Sequence, residues 1–217
     1  MCPLWPAGER QALREVRLEA EAGRLGLGAG RQVARGCGLT PWSWDTGDMP
    51  IAPKLEVSAE PPGSDLATGL LSQYFEELRR RFPGGFDPSL ALAARDDQLV
   101  YPQGAFLIAR AEGRAVGCGA LRRLDALTAE IKHMWVDPAA RGHRVGKTLL
   151  ASLEDAARRL GCTTVRLDTS SHLAEAISLY RSSGYTETGP YNDNPYARHW
   201  FEKHLGPVPG APENLQT

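Results

Sequence analysis

Between Asp137 and Lys147 the chain reads Asp137-Pro138-Ala139-Ala140-Arg141-Gly142-His143-Arg144-Val145-Gly146-Lys147. Arg141, His143, Arg144 and Lys147 crowd positive charge into this stretch, just where the hydrophobic period changes from two residues to about three and a half. A strand, a short loop and a helix opening near Gly146 aim several unpaired backbone N–H groups at one point ahead of the helix. The helix dipole and the basic side chains reinforce that point, so it suits a diphosphate. The run Leu25-Gly26-Leu27-Gly28-Ala29-Gly30 has neither a strand before it nor a strong helix after it, and is read as composition rather than as a nucleotide loop.

The elements that must hold the loop follow from pattern. Leu55 and Val57 alternate with polar residues as in a strand, and Pro61-Pro62-Gly63 ends it. Ser64 or Asp65 caps a helix whose apolar face is Leu66, Leu70, Tyr74, Leu78 and Phe82, stopped by Pro83-Gly84-Gly85. Ala105 to Arg110 and Ala115 to Leu121 flank Glu112-Gly113 as a hairpin, and a turn near Asp125 leads into a third strand, Ala129 to Val136. Val145, Leu149, Leu153, Ala156 and Leu160 form a helical stripe closed at Gly161. Val165 and Leu167 mark a strand, Leu173 to Tyr180 a helix, Tyr185 to Glu187 another strand, and Ala197 to Lys203 the last.

Composition narrows the function classes. Lysine plus arginine number 25 against 26 acidic residues, so no whole-chain field selects nucleic acid or a membrane surface. Cys2, Cys37, Cys118 and Cys162 are too scattered for a zinc site or a disulfide framework, which points to a reducing cytoplasm. The first residues lack an apolar signal region, so neither export nor a membrane span is expected. His133 and His199 have no carboxylate or histidine at ligand spacing, and no metal is expected.

At the basic loop the sequence resembles the GNAT superfamily of N-acetyltransferases, whose pyrophosphate loop reads Arg/Gln-x-x-Gly-x-Gly/Ala after a strand ending in Val-Asp-Pro; here the text is Met134-Trp135-Val136-Asp137-Pro138 through Gly146. A second stretch, Ala174-Glu175-Ala176-Ile177-Ser178-Leu179-Tyr180 to Gly184-Tyr185, looks like the family's Ala-x-x-Leu-Tyr helix and the Gly-Tyr/Phe after it. The resemblance implies acetyl-CoA as co-substrate, with Met134, Trp135 and Val136 presenting backbone groups to the pantetheine arm. It also implies that Arg141, Gly142, His143, Arg144, Val145, Gly146 and Lys147 wrap the pyrophosphate. Arg144 stands where the motif has its first glycine; a left-handed backbone there would cost roughly 1–2 kcal/mol.

The resemblance places Tyr180 beside the departing sulfur. A tyrosine (pKa about 10) is a weaker acid than a thiol (about 8.5), so hydrogen bonding to the thiolate is easier than outright proton donation. Glu130 occupies the general-base position of the histone acetyltransferase branch; an ion pair with Lys132 or Arg122 is the alternative. Strand alternation puts Glu130, Lys132, Met134 and Val136 on one face unless a bulge intervenes. Asp168 is another candidate base or a helix cap. Leu173 stands where the family often has asparagine, leaving Ser170 or Ser171 to supply that cofactor contact.

The segment Tyr191-Asn192-Asp193-Asn194-Pro195-Tyr196 resembles the loop before the last strand in some bacterial members. Tyr191, Asn192 and Tyr196, with Tyr74 and Phe75 of the first helix, are the candidate acceptor residues. The expected fold is α+β, a mixed and mostly antiparallel sheet flanked by helices. It occupies residues 51–205, after a flexible extension over 1–50 in which Met49 is a candidate start, and before a disordered tail over 206–217. The expected reaction is direct acetyl transfer to a small-molecule primary amine, with no nucleic-acid or membrane partner and a homodimer compatible with it. Acetylation of a protein lysine or N-terminus, and a non-catalytic acyl-CoA-binding regulatory module, are the competing expectations; Arg144 and Leu173 favour the latter.

Overall fold

The computed structural model describes residues 54–90 and 95–206. The expected helix of residues 9–24, the glycine-rich run and the tail from 207 lie outside them. Seven strands form one sheet in the order β1-β2-β3-β4-β5-β7-β6. The strands are β1 (Leu55–Ala59), β2 (Gly104–Ala111), β3 (Arg114–Arg123), β4 (Thr128–Val136), β5 (Thr164–Thr169), β6 (Thr186–Thr188) and β7 (His199–His204). Only β4 and β5 run parallel. A parallel pair needs a long crossover, and the helical stripe read from Val145 supplies it. The fold class is therefore the expected α+β arrangement with a mostly antiparallel sheet.

Among the described residues three α-helices cover the sheet: α1 (Asp65–Arg81), α2 (Val145–Arg159) and α3 (Ala174–Ser182). The Ser64 hydroxyl accepts from the Ala67 N–H at 3.1 Å, so Ser64 rather than Asp65 is the cap of α1. Leu149, Leu150 and Leu153 of α2 are completely buried in one core with Leu121, Val165 and Phe201. Each such leucine contributes about 2 kcal/mol by burial, and Leu153→Ala would cost about 3 kcal/mol. Gly119 lets α2 approach, since a Cβ there would lie 2.7 Å from Leu153 Cδ1. On the opposite face Ala67 and Leu70 of α1 pack with Phe106, Ile108 and Trp135.

The register of β3 with β4 slips between Cys118, which faces Trp135, and Ala120, which faces Lys132. The extra residue sits at His133, whose φ is +52°. The buried Cys118 thiol donates to the His133 carbonyl at 3.7 Å. This bulge changes the face of every residue beyond it. Ala129 and Ile131 point to the α2 core, whereas past His133 it is Met134 and Val136 that pack there. Glu130 and Lys132 therefore do not share a face with Met134 and Val136, and unbroken alternation does not hold. The strands also part: β4 pairs β5 only from Thr128 to Glu130, while β5 stays on β7 through Thr169. The two central strands splay into a cleft beyond Glu130.

Candidate active site

The loop after β4 converges as its sequence suggests. Arg144 adopts φ +63°, ψ +4°, a left-handed conformation, immediately before α2. The first backbone bond of the helix runs from Thr148 N–H to Arg144 O at 3.0 Å. The amides of Val145, Gly146 and Lys147 thus belong to the turn that a helix leaves unsatisfied. These three residues line a groove of about 370 Å³ together with Met134, Trp135, Val136, Arg141, Gly142 and Arg144, and with Leu179 and Tyr180 of α3. His143 is the one expected loop residue that does not border the groove; its Nδ1 lies 3.0 Å from the Arg141 carbonyl.

Two groove cations are neutralised by groove carboxylates. Arg141 reaches Glu77 at 2.6 and 2.8 Å and donates from Nε to the Val136 carbonyl at 3.1 Å. Glu77 also accepts from Trp135 Nε1 at 2.8 Å and from Arg81 at 3.0 Å. Burial raises the Glu77 pKa, but the hydrogen bonds from Arg141, Trp135 and Arg81 outweigh it and the carboxyl ends below its usual range. Arg81 in turn binds Glu175 of α3, whose pKa is drawn down to about 2, chiefly by that hydrogen bond. Sequence reasoning missed Glu77, although Tyr74, Glu77, Leu78 and Arg81 lie at i, i+3, i+4 and i+7, and a glutamate on an apolar stripe is a usable signal.

A second cavity, about 80 Å³, opens where β4 and β5 part. Of the candidate acceptor residues Tyr74, Phe75 and Tyr196 border it, together with Phe82, Phe86, His133, Lys132, Asp168 and Asn194, which were not among the candidates. Phe75 stacks on Phe86 at 5.9 Å, and Phe86 meets Tyr196 at 4.7 Å between ring centroids. Tyr191 and Asn192 do not border this cavity; both donate to Glu130, at 3.0 and 3.2 Å. Tyr74, Leu78 and Leu173 belong to the walls of both spaces, so groove and cavity abut there. Ser170 borders the cavity rather than the groove, and Ser171 neither.

The carboxylates differ in what they can do. Glu130 is fully buried, paired with both Arg122 at 2.7 Å and Lys132 at 3.4 Å, so it is not on the surface. Asp168 lies across the splay, 3.3 Å from Lys132 Nζ, and borders the cavity. It caps no helix, since the residue at the start of α3 is Leu173. Burial, then the charges of Lys132 and Arg122, lowers the His133 pKa to about 4 and keeps its ring neutral. Burial, with the charge of Asp168 second, pushes the Tyr180 hydroxyl well above its usual value. That hydroxyl donates to the Met134 sulfur at 3.9 Å.

Residues 71–185 match the model of the Acetyltransferase (GNAT) family. This chain belongs to that family. It is 34% identical over 140 residues to an "IAA acetyltransferase" of Azospirillum brasilense, covering 64% of this chain and 89% of the relative. It is 30% identical over 138 residues to "N-alpha-acetyltransferase RimI" of Mycobacterium tuberculosis, covering 62% and 85%. A crystal structure described as an acyl-CoA N-acyltransferase of Klebsiella pneumoniae subsp. pneumoniae MGH 78578 superposes with a TM-score of 0.55 at 28% identity, covering 70% of this chain and 97% of that one. As a GNAT acetyltransferase the chain is an acetyl-CoA-dependent enzyme, which sets aside the non-catalytic reading. Among the described residues no group of three or more His, Cys, Asp or Glu could hold a metal, and no helix is long and apolar enough to cross a membrane.

Proposed function

We propose that the enzyme acetylates a primary amine of a small molecule, whose amine-bearing end enters the aromatic cavity while acetyl-CoA lies in the adjoining groove. The carrying observation is the shared wall of Tyr74, Leu78 and Leu173, which makes two separate spaces meet at one place. The groove suits acetyl-CoA on chemical grounds: amides at a helix start and Lys147, which has no ion pair among the described residues, for the diphosphate, and the edge of β4 past the bulge for an extended arm. When bound, acetyl-CoA supplies an acetyl group activated as a thioester.

The chain's own residues then have distinct tasks. The backbone near Val136, freed from β5 by the splay, offers N–H groups to developing negative charge on the carbonyl oxygen. Tyr180 holds its proton and offers it in a hydrogen bond to sulfur, the interaction it already makes with Met134. The aromatic walls exclude water from the nucleophile. The cavity's small volume and its lid of Phe82, Phe86 and Tyr196 favour a compact acceptor over a folded protein surface. Similarity to a relative named as an N-alpha-acetyltransferase supports a second reading, a protein N-terminus. Thiol release from acetyl-CoA across a panel of small amines, lysine peptides and peptide N-termini separates the two; turnover confined to peptides would reject the small-molecule reading.

A further inference from the structure

Acetyl transfer to an amine releases a proton from nitrogen, and two buried carboxylates lie close enough to the cavity to be considered for it. Glu130 accepts from Arg122, Lys132, Tyr191 and Asn192. Three of these donors crowd Oε1 and Arg122 holds Oε2 at 2.7 Å, so both oxygens are engaged and the residue is fully buried. Glu130 also lies behind Lys132 and contributes nothing to the cavity wall. Among the described residues Asp168 accepts from Lys132 and, at 2.9 Å, Asn192 on Oδ1 and from Asn194 at 2.6 Å on Oδ2, and, unlike Glu130, it forms part of the cavity wall.

From this difference we infer that Asp168, not Glu130, is the catalytic residue that takes the proton from the acceptor nitrogen. The inference rests on the two-cavity reading given above. As the nitrogen lone pair forms the C–N bond, the C–S bond breaks and its electron pair leaves with sulfur. The nitrogen still carries one proton too many, and bonding to the carbonyl makes that proton acidic enough for an ordinary carboxylate. Asp168 Oδ receives it and passes it to water, and solvent water returns one proton to the departed thiolate to give the thiol. Glu130 holds Lys132 and Asn192 in place and is a positioning residue; the Lys132 bridge fixes Asp168 across the gap between β4 and β5.

Among the described residues the other titratable groups facing Asp168 are Lys132 and His133 from β4, Tyr74 from α1, Tyr180 from α3 and Tyr191 from the segment before β7. His133 also borders the cavity but stands edge-on to Tyr74 and Phe75, at 5.9 and 5.8 Å between centroids.

Asp168→Asn is expected to lower kcat about a hundredfold at pH 7. Acetyl-CoA affinity by calorimetry and the melting temperature should stay close to wild type, and part of the lost rate should return as pH rises and hydroxide takes the proton that Asp168 no longer accepts. Because the new amide group faces Asn194, Asp168→Ala with added formate is the companion, and formate should restore part of the rate. Glu130→Gln removes a positioning residue, so its loss should be smaller than that of Asp168→Asn and should neither recover at high pH nor respond to formate. Full activity of either Asp168 variant overturns the inference, as does a loss in Glu130→Gln equal to that in Asp168→Asn. Wild-type enzyme inert toward small amines rejects the acceptor reading instead, and the same variants are then compared on a peptide acceptor.

Discussion

Arg141 donates from Nε to the carbonyl of Val136 at 3.1 Å, folding the basic loop back onto the strand it leaves. Its other end is held by Glu77, so α1, β4 and the loop meet at one buried carboxylate. Glu77→Gln keeps a hydrogen-bonding shape but removes the charge that balances Arg141 and Arg81. A stability loss of about 2 kcal/mol is expected in urea unfolding. The groove also becomes more positive, so acetyl-CoA should bind a few-fold tighter, with a steeper salt dependence. Weaker binding at low salt would show that Glu77 serves the cofactor by placing Arg141 rather than restraining it.

Arg144 carries a side chain where its backbone prefers none. With φ at +63°, replacement by glycine relieves roughly 1 kcal/mol of strain. Arg144→Gly should therefore raise the melting temperature by a few degrees and leave acetyl-CoA affinity intact or improved. A large loss of affinity on calorimetry would mean that the guanidinium itself carries phosphate binding.

Tyr180 is built to donate a hydrogen bond and keep its proton. Its hydroxyl is pushed upward by burial and by Asp168, so it stays protonated throughout the working range. Tyr180→Phe should lower kcat ten- to a hundredfold with little change in KM for acetyl-CoA. Between pH 7 and about 10 the wild-type rate should show no limb that the Phe variant lacks; such a limb would identify Tyr180 as a proton donor.

His133 gives the fold an acid-sensitive point at the bulge. Its pKa falls from the ordinary 6.5 to about 4, so the unfolded chain binds more protons between those values. Stability is then fully present above about pH 6.5 and is lost as pH falls through 4, by up to about 3 kcal/mol. His133→Asn suits the positive φ of the bulge and removes the titration. Unfolding measured from pH 7 to 4 should flatten in this variant relative to wild type; equal slopes would place the acid sensitivity elsewhere.

The order of elements, the capped first helix, the hairpin at Glu112-Gly113 and the basic turn ahead of α2 were legible in the sequence. Periodicity, capping and turn chemistry are local, and each is written within a dozen residues or so. Even the boundaries shifted little: the short strand read at Tyr185 to Glu187 is Thr186–Thr188, and the last strand runs His199–His204 rather than from Ala197. What distinguishes Asp168 from Glu130, or makes Tyr191 a prop for Glu130 rather than part of the cavity wall, is not local. One inserted residue at His133 reverses the faces of the strand beyond it, and the parting of β4 from β5 decides which side chains reach the cavity. The tie between Arg141 and Glu77 joins residues 64 positions apart. Register and strand divergence are settled by pairing between distant segments, and that information exists only once the sheet has formed.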